Sequence, residues 1–187
     1  MKETSIIISG FGGQGTLFAG QVLAYAAMDN GFEVTWIPSY GPEMRGGTAH
    51  CTVIIAEEAI GSPLVRRPNV VLALNLPSLD KYEPVILPGG VLIGNASLTN
   101  REVERDGITS LLIPANEIAE EIGMARLANM VMVGAMIPLK PILTLEMVKD
   151  SLDEHIPERH RKTLKMNFEA IKRGYNFAQR ARSQAPA

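Results

Sequence analysis

Cysteine is almost absent from this sequence, whose 187 residues contain only Cys51. A single cysteine cannot form an internal disulfide, and it cannot by itself hold a zinc ion or an iron–sulfur cluster. We therefore expect no metal site on this chain and a location in the reducing cytoplasm.

Long apolar runs are also missing. The most apolar stretch, residues 127–139, is shorter than the roughly 18 residues that cross a bilayer. The start of the chain leads directly into a strand-like pattern, so we expect neither a signal peptide nor a membrane partner.

A strong net charge is lacking as well: the formal value is −2, and aromatic residues make up only 5%. The aromatics do not alternate with basic residues as a stacking platform requires, so we expect no nucleic-acid partner. The charge is nevertheless uneven, because residues 159–187 hold eight Lys or Arg and one acid. Such a tail is either a solvated helix face or a docking surface for an acidic partner.

What the sequence does contain is an alternation of strand and helix patterns. Strands are predicted at 5–9, 33–39, 48–56, 70–75, 91–94 and 108–113. Helices are predicted at 16–28, 116–122, 126–137 and 145–155, with a final one from Pro157 whose apolar stripe is Leu164, Phe168, Ile171, Tyr175 and Ala178. This order predicts a single α/β domain over 1–187, a Rossmann-like, doubly wound, mostly parallel sheet, with an α/β core at 1–125 and a helical part at 126–182.

The first motif is GFGGQGT, which comprises Gly10, Phe11, Gly12, Gly13, Gln14, Gly15 and Thr16. It follows the first strand and precedes the first helix, where glycines allow a sharp turn and the helix N-terminus offers free N–H groups to an anion. We expect an anion or phosphate contact there. The alternative is a tight turn without a ligand.

A standard nicotinamide site is not indicated. That site needs an acid at the carboxyl end of the second strand, to hold the ribose hydroxyls. Here the strand ends IPSY, and Glu33 lies at its start. A phosphate loop of the GxxxxGK type is also missing from the sequence.

The second motif is SYGPEMRGGT, at residues 39–48. It follows the second strand and should therefore face the first motif across the carboxyl edge of the sheet. We expect Tyr40, Glu43 and Arg45 to lie at that crevice, with Arg45 able to grip a phosphate or carboxylate. Alternatively, Glu43 and Arg45 form only a solvated ion pair.

His50 and Cys51 follow on the third strand. Neighbouring strand residues point to opposite faces, so these two side chains cannot form a catalytic couple. We expect Cys51 in the core and His50 in a structural or interface role.

The two glycine-rich motifs, at this spacing, resemble those of the gamma subunit of 2-oxoacid:ferredoxin oxidoreductases. The SYGPE-RGG form is more similar to subunits that serve 2-oxoglutarate or branched-chain 2-oxo acids than to the pyruvate type. The resemblance implies conversion of a 2-oxo acid, coenzyme A and oxidised ferredoxin to acyl-CoA, carbon dioxide and reduced ferredoxin. It further implies alpha, beta and ferredoxin-like delta subunits, with thiamine diphosphate and 4Fe-4S clusters on those partners.

On this resemblance the chain is inactive alone, carries no catalytic residue, and helps to place coenzyme A. The residues carried over as cofactor-binding are Gly10, Gly12, Gly13, Gln14, Gly15, Thr16, Tyr40, Glu43 and Arg45. Two alternatives remain open: a stand-alone Rossmann-like nucleotide-binding enzyme, and a scaffold subunit without a ligand.

Overall fold

The computed structural model of the chain describes residues 3–40 and 48–184. Its centre is a six-stranded sheet in the order β2-β3-β1-β4-β5-β6. The strands are β1 (Glu3–Phe11), β2 (Glu33–Tyr40), β3 (Thr48–Ala56), β4 (Val70–Ala73), β5 (Val91–Asn95) and β6 (Thr109–Ile113). The helices are α1 (Thr16–Asp29), α2 (Leu76–Tyr82), α3 (Ala115–Glu121), α4 (Ala128–Leu139), α5 (Leu145–His155) and α6 (Leu164–Gln184).

The sheet is mostly parallel, as predicted. β1, β4, β5 and β6 pair in parallel, whereas β3 runs antiparallel to both of its neighbours, β1 and β2. The connection from β2 to β3 is too short for the crossover that a parallel pair needs, since such a crossover takes a dozen or more residues. β3 therefore returns beside β2 and separates it from β1.

Helices cover both faces of the sheet, and β1 shows how. Ile6 and Ile8 point into the larger core, which α1, α4, α5 and α6 cover. Ile7 lies between them and points into a smaller core with Leu79 and Tyr82 of α2. The prediction of a doubly wound sheet is confirmed. Helix α2 was not predicted, because its seven residues show too little periodicity and include a proline in the first turn.

Helix α4 lies between the sheet and α6. Every residue from Asn129 to Pro138 is buried, which explains why this helix has no polar face. The predicted range ended at residue 137, but the helix continues through Pro138, which lies within its last turn. Among the described residues, none of the helices combines the length and the apolar character needed to cross a bilayer.

The predicted apolar stripe of α6 is confirmed in part. Ile171 and Ala178 are buried as predicted, while Leu164, Phe168 and Tyr175 are only partly buried. The other buried residues of α6 are Asn167, Ala170 and Gly174. Small residues take the centre because the backbones of α4 and α6 almost touch. The helix also begins at Leu164 rather than at Pro157, since a 3-10 turn occupies Glu158–Thr163.

Two glycines make this close approach possible. A Cβ added to Gly134 would lie 1.9 Å from the carbonyl oxygen of Ile171, and one added to Gly174 would lie 1.9 Å from that of Val131. No side chain fits at such a distance, so the two helices would have to separate.

We therefore expect Gly174→Ala to destabilise the chain by about 1–3 kcal/mol, because overpacking outweighs the gain in helix propensity. The matched control is Gly61→Ala, where an added Cβ meets nothing within 4 Å. Urea unfolding measures both variants. Equal stability of the two variants would mean that the α4–α6 contact tolerates a methyl group and that the close packing is not required.

Candidate functional site

The glycine-rich loop joins β1 to α1, and its conformation depends on glycine at two positions. Gly13 has φ of 94° and Gly15 has φ of 76°, both in the left-handed region that side chains disfavour. The first helical hydrogen bond runs from the Ala19 N–H to the Gly15 carbonyl oxygen, at 3.0 Å. The N–H groups of the preceding turn therefore have no helical partner, and the positive end of the α1 dipole lies with them.

The side chain of Gln14 turns inward and closes this loop. Its Oε1 accepts the Phe11 N–H at 2.6 Å and Nδ2 of Asn75 at 3.1 Å. A Cβ on Gly10 would lie 2.6 Å from the same oxygen. The Gln14 amide thus holds the loop, whereas the exposed surface of the loop is the backbone of Gly12 and Gly13.

The loop lies at the point where the chain changes from one face of the sheet to the other. β1 and β4 are parallel neighbours, yet α1 follows β1 on one face and α2 follows β4 on the opposite face. In doubly wound sheets, ligands bind in the crevice at such a switch point, outside the carboxyl ends of the strands. The prediction placed the glycine-rich loop at this edge, and the fold brings it there.

Carboxamides line the same edge. Asn75 follows β4 and caps α2 by accepting the Ser78 N–H at 3.0 Å. Asn95 ends β5; its Oδ1 accepts the Ala115 N–H at 3.2 Å and its Nδ2 donates to Oδ1 of Asn116 at 2.9 Å. Each amide joins two elements, so the carboxyl edge is held by neutral groups that add no charge of their own.

The neighbouring acid is Glu117, whose pKa is lowered by a hydrogen bond from the Ser97 hydroxyl. It is exposed, at the start of α3. This carboxylate is therefore ionised at neutral pH and unsuited to the role of a general acid.

A second amide fixes the glycine loop from the side of α4. Asn129 is 4% exposed, and its Nδ2 donates to the Gly15 carbonyl oxygen at 3.0 Å. Sequence reasoning missed both Asn75 and Asn129. The available signals were weak: one amide directly follows an apolar strand, and the other is a lone polar residue in an apolar helix.

The second motif joins β2 to β3 at the same edge. Tyr40 is the last residue of β2, whereas Glu43 and Arg45 lie outside the described residues. Tyr40 pairs with Ala49, and Thr48 pairs with Phe11. The end of the connection at Thr48 is thus paired directly with β1, from which the glycine loop departs, and the end at Tyr40 is one strand further away, across β3.

The position of β2 also bears on nicotinamide binding. Because β3 lies between β1 and β2, the carboxyl end of β2 is two strand spacings, about 10 Å, from the end of β1. A ribose-binding acid there would be displaced from the place it has in a standard dinucleotide fold, where β2 adjoins β1.

His50 and Cys51 point to opposite faces, as predicted. Cys51 is fully buried and its thiol donates to the Thr16 carbonyl oxygen at 3.3 Å. His50 is half-buried on the other face, 6.1 Å from the ring of Tyr82. Burial, and then the charge of Lys81, lowers the pKa of His50, so its imidazole is neutral at neutral pH.

The described residues include one group that could offer three ligand atoms to a metal ion: Asp29, Glu154 and His155. His155 already binds Asp29 at 3.0 Å and stacks on Tyr25 with ring centroids 4.2 Å apart. The group joins the last turns of α1 and α5, at the end of α1 opposite the glycine loop. We interpret it as a structural contact between the two helices.

Comparisons with known proteins agree with this architecture. The sequence profile of the family described as pyruvate ferredoxin/flavodoxin oxidoreductase matches residues 5–177. The 2-oxoglutarate synthase subunit KorC of Methanocaldococcus jannaschii is 37% identical over 177 residues, which cover 92% of both chains. The ketoisovalerate oxidoreductase subunit VorA of Methanothermobacter thermautotrophicus is 44% identical over 137 residues, which cover 73% of this chain. The matched part is only 28% of the length of VorA.

A solved structure shows the same fold over nearly all of this chain. It is the crystal structure of the gamma subunit of a keto/oxoacid ferredoxin oxidoreductase from Geobacter sulfurreducens. The TM-score is 0.80 at 28% identity, and the match covers 95% of this chain and 99% of that one. Together these similarities confirm the resemblance that the two glycine-rich motifs indicated.

Cys51 provides a test of the packing beneath the glycine loop. Burial raises the pKa of this thiol from 9.0 to about 12. Above pH 9 the unfolded chain therefore loses the thiol proton while the folded chain keeps it, and stability falls as the pH rises towards 12.

We expect the free energy of unfolding of the native chain, relative to that of Cys51→Ala, to fall by about 1.4 kcal/mol per pH unit above pH 9. Below pH 9 the difference should be constant. Urea unfolding from pH 7 to 10.5 measures it. Parallel curves over the whole range would mean that the thiol is not buried as described.

Proposed function

The chain belongs to the pyruvate ferredoxin/flavodoxin oxidoreductase family, and from this premise we propose that it is the gamma subunit of a 2-oxoacid:ferredoxin oxidoreductase. The complex would convert a 2-oxo acid, coenzyme A and oxidised ferredoxin to acyl-CoA, carbon dioxide and reduced ferredoxin. The observation that carries the proposal is similarity over nearly the whole length to a subunit of this class. The KorC and VorA similarities favour 2-oxoglutarate or a branched-chain 2-oxo acid as substrate.

In this proposal the redox chemistry belongs to the alpha, beta and ferredoxin-like delta subunits. Thiamine diphosphate and 4Fe-4S clusters would be held there, because the only cysteine of this chain is buried beneath α1 and cannot ligate a cluster. Thiamine diphosphate supplies the carbanion chemistry on the 2-oxo acid, and the clusters carry single electrons to ferredoxin.

The contribution of this chain would be to bind coenzyme A, through its diphosphate, at the glycine loop. The unpaired N–H groups of the first turn of α1 and the exposed backbone of Gly12 and Gly13 are the donors that suit an anion. Gly10, Gly15 and Thr16 shape the turn, and Gln14 holds it. Tyr40, Glu43 and Arg45 would complete the site from the second motif, with Arg45 as its cation.

Two further features of the proposal concern the chain as a whole. We propose a single α/β domain, because α4 and α6 of the C-terminal part share one core with the strands. We also propose a cytoplasmic complex, because a lone free thiol suits a reducing compartment.

Purification of the tagged chain from its native host, with mass spectrometry of the proteins that accompany it, tests the assembly. We expect partners that carry a GDG thiamine diphosphate motif and clustered cysteines. Purification of the chain with unrelated proteins only, or turnover by the chain alone, would contradict the proposal. A flavin or nicotinamide nucleotide retained by the pure chain would favour the stand-alone enzyme instead.

Arg45→Ala tests the second motif in the assembled complex. The loss of one charged contact to a diphosphate should raise the KM for coenzyme A about tenfold or loosen subunit assembly, with little change in fold stability. Lys172→Ala, at an exposed position of α6, is the matched control. If the Arg45→Ala complex matched this control in assembly and in KM, the Arg45 side chain would contact neither coenzyme A nor a partner subunit, which would contradict its proposed role.

A further inference from the structure

The observation behind this inference is the meeting of two helix N-termini at Gly15. Gly15 precedes the first residue of α1, and Asn129 lies in the first turn of α4. The Asn129 amide bridges them: Nδ2 donates to the Gly15 carbonyl oxygen at 3.0 Å, while Oδ1 accepts the Met130 N–H at 2.9 Å. The contact joins residues that are 114 positions apart in sequence.

The fit at this contact is tight. A Cβ added to Gly15 would lie 2.4 Å from Nδ2 of Asn129. Asn129 is 4% exposed and lies in a helix whose other buried residues are apolar or glycine, up to Pro138. A buried amide costs stability unless both of its ends are bonded. Here the Nδ2 end bonds a backbone group at the start of α1, and the Oδ1 end bonds one in the first turn of α4.

We propose that Asn129 is a positioning residue for the anion-binding loop. By holding the Gly15 carbonyl oxygen back towards α4, it fixes the left-handed turn at Gly15, and the free N–H groups of the first turn of α1 are thereby aimed at the crevice. The positive end of the α1 dipole lies with these N–H groups and favours a bound phosphate. The inference rests on the proposed role of the loop in binding coenzyme A.

Two substitutions separate positioning from simple destabilisation. Asn129→Leu keeps the approximate volume but removes the donor. Asn129→Asp keeps the shape, cannot donate to the Gly15 carbonyl oxygen, and places a carboxylate at two helix N-termini, where the dipoles stabilise it. The control is Asn167→Leu: Asn167 is also 4% exposed, but its bond is local, to the carbonyl oxygen of Thr163 just before α6, at 2.9 Å.

The first readout is steady-state kinetics of the assembled complex. We expect both Asn129 variants to raise the KM for coenzyme A about tenfold, with kcat per assembled complex within about twofold of the native value. Asn167→Leu should leave both constants unchanged. An increase in KM with Asp alone would show charge repulsion rather than positioning, and an equal effect of Asn167→Leu would show general destabilisation. Either result would overturn the inference.

The second readout needs no partner subunit. Amide hydrogen exchange of the full chain should become at least tenfold faster at residues 12–18 in both Asn129 variants, and should stay unchanged there in Asn167→Leu. Unchanged exchange in the loop would overturn the positioning role.

Gly13→Ala distinguishes failure of the inference from failure of the proposed function, because a side chain at its φ of 94° distorts the loop directly. If Gly13→Ala raises the KM for coenzyme A and the Asn129 variants do not, the inference is wrong and the proposed function stands. If no loop variant changes this KM, the proposed site itself is wrong.

Discussion

Helix α4 is buried on every side, and the rest of the structure depends on that burial. One side packs on the parallel strands, and the other packs so closely on α6 that Gly134 and Gly174 each face a carbonyl oxygen of the opposite helix. A helix held this firmly has a fixed start as well as a fixed axis. Its first turn is therefore held in place, and Asn129 in that turn bonds the glycine loop between β1 and α1.

The candidate site follows from that support. Backbone N–H groups recognise an anion only if the backbone is held in place, and glycine by itself provides freedom rather than order. In this chain the order comes from carboxamides: Gln14 and Asn75 close the loop on the side of the sheet, and Asn129 closes it on the side of α4. Neutral amides suit this task, because a carboxylate in the same place would repel a phosphate.

Most strands and helices could be predicted from the sequence, because each has a local apolar pattern that does not depend on distant residues. The range predicted for β3 is the observed one, and α1 and α5 begin at the predicted residues. Helix α2 was not predicted, because a helix of seven residues shows too little periodicity to detect. The direction of β3 was not anticipated, although the short connection from β2 requires it.

The remaining misses concern contacts between distant parts of the chain. In α6 the predicted stripe contains the buried Ile171, but the proximity of α4 adds Ala170 and Gly174 to the buried face. Asn129 could not be assigned to the site, since its partner lies 114 residues away. The hydrogen bond by which the Gln14 side chain holds the loop was also not anticipated. Local pattern therefore identified the candidate loop, whereas tertiary packing decided which side chains support it.

We propose that this chain completes a 2-oxoacid oxidoreductase and supplies part of its coenzyme A site. The most direct measurement is ferredoxin reduction with 2-oxoglutarate or a branched-chain 2-oxo acid, assayed with the chain alone, the partner subunits alone, and the two combined. We expect turnover only in the combined sample, and only when coenzyme A is present. Full coenzyme A-dependent turnover by the partner subunits without this chain would contradict it.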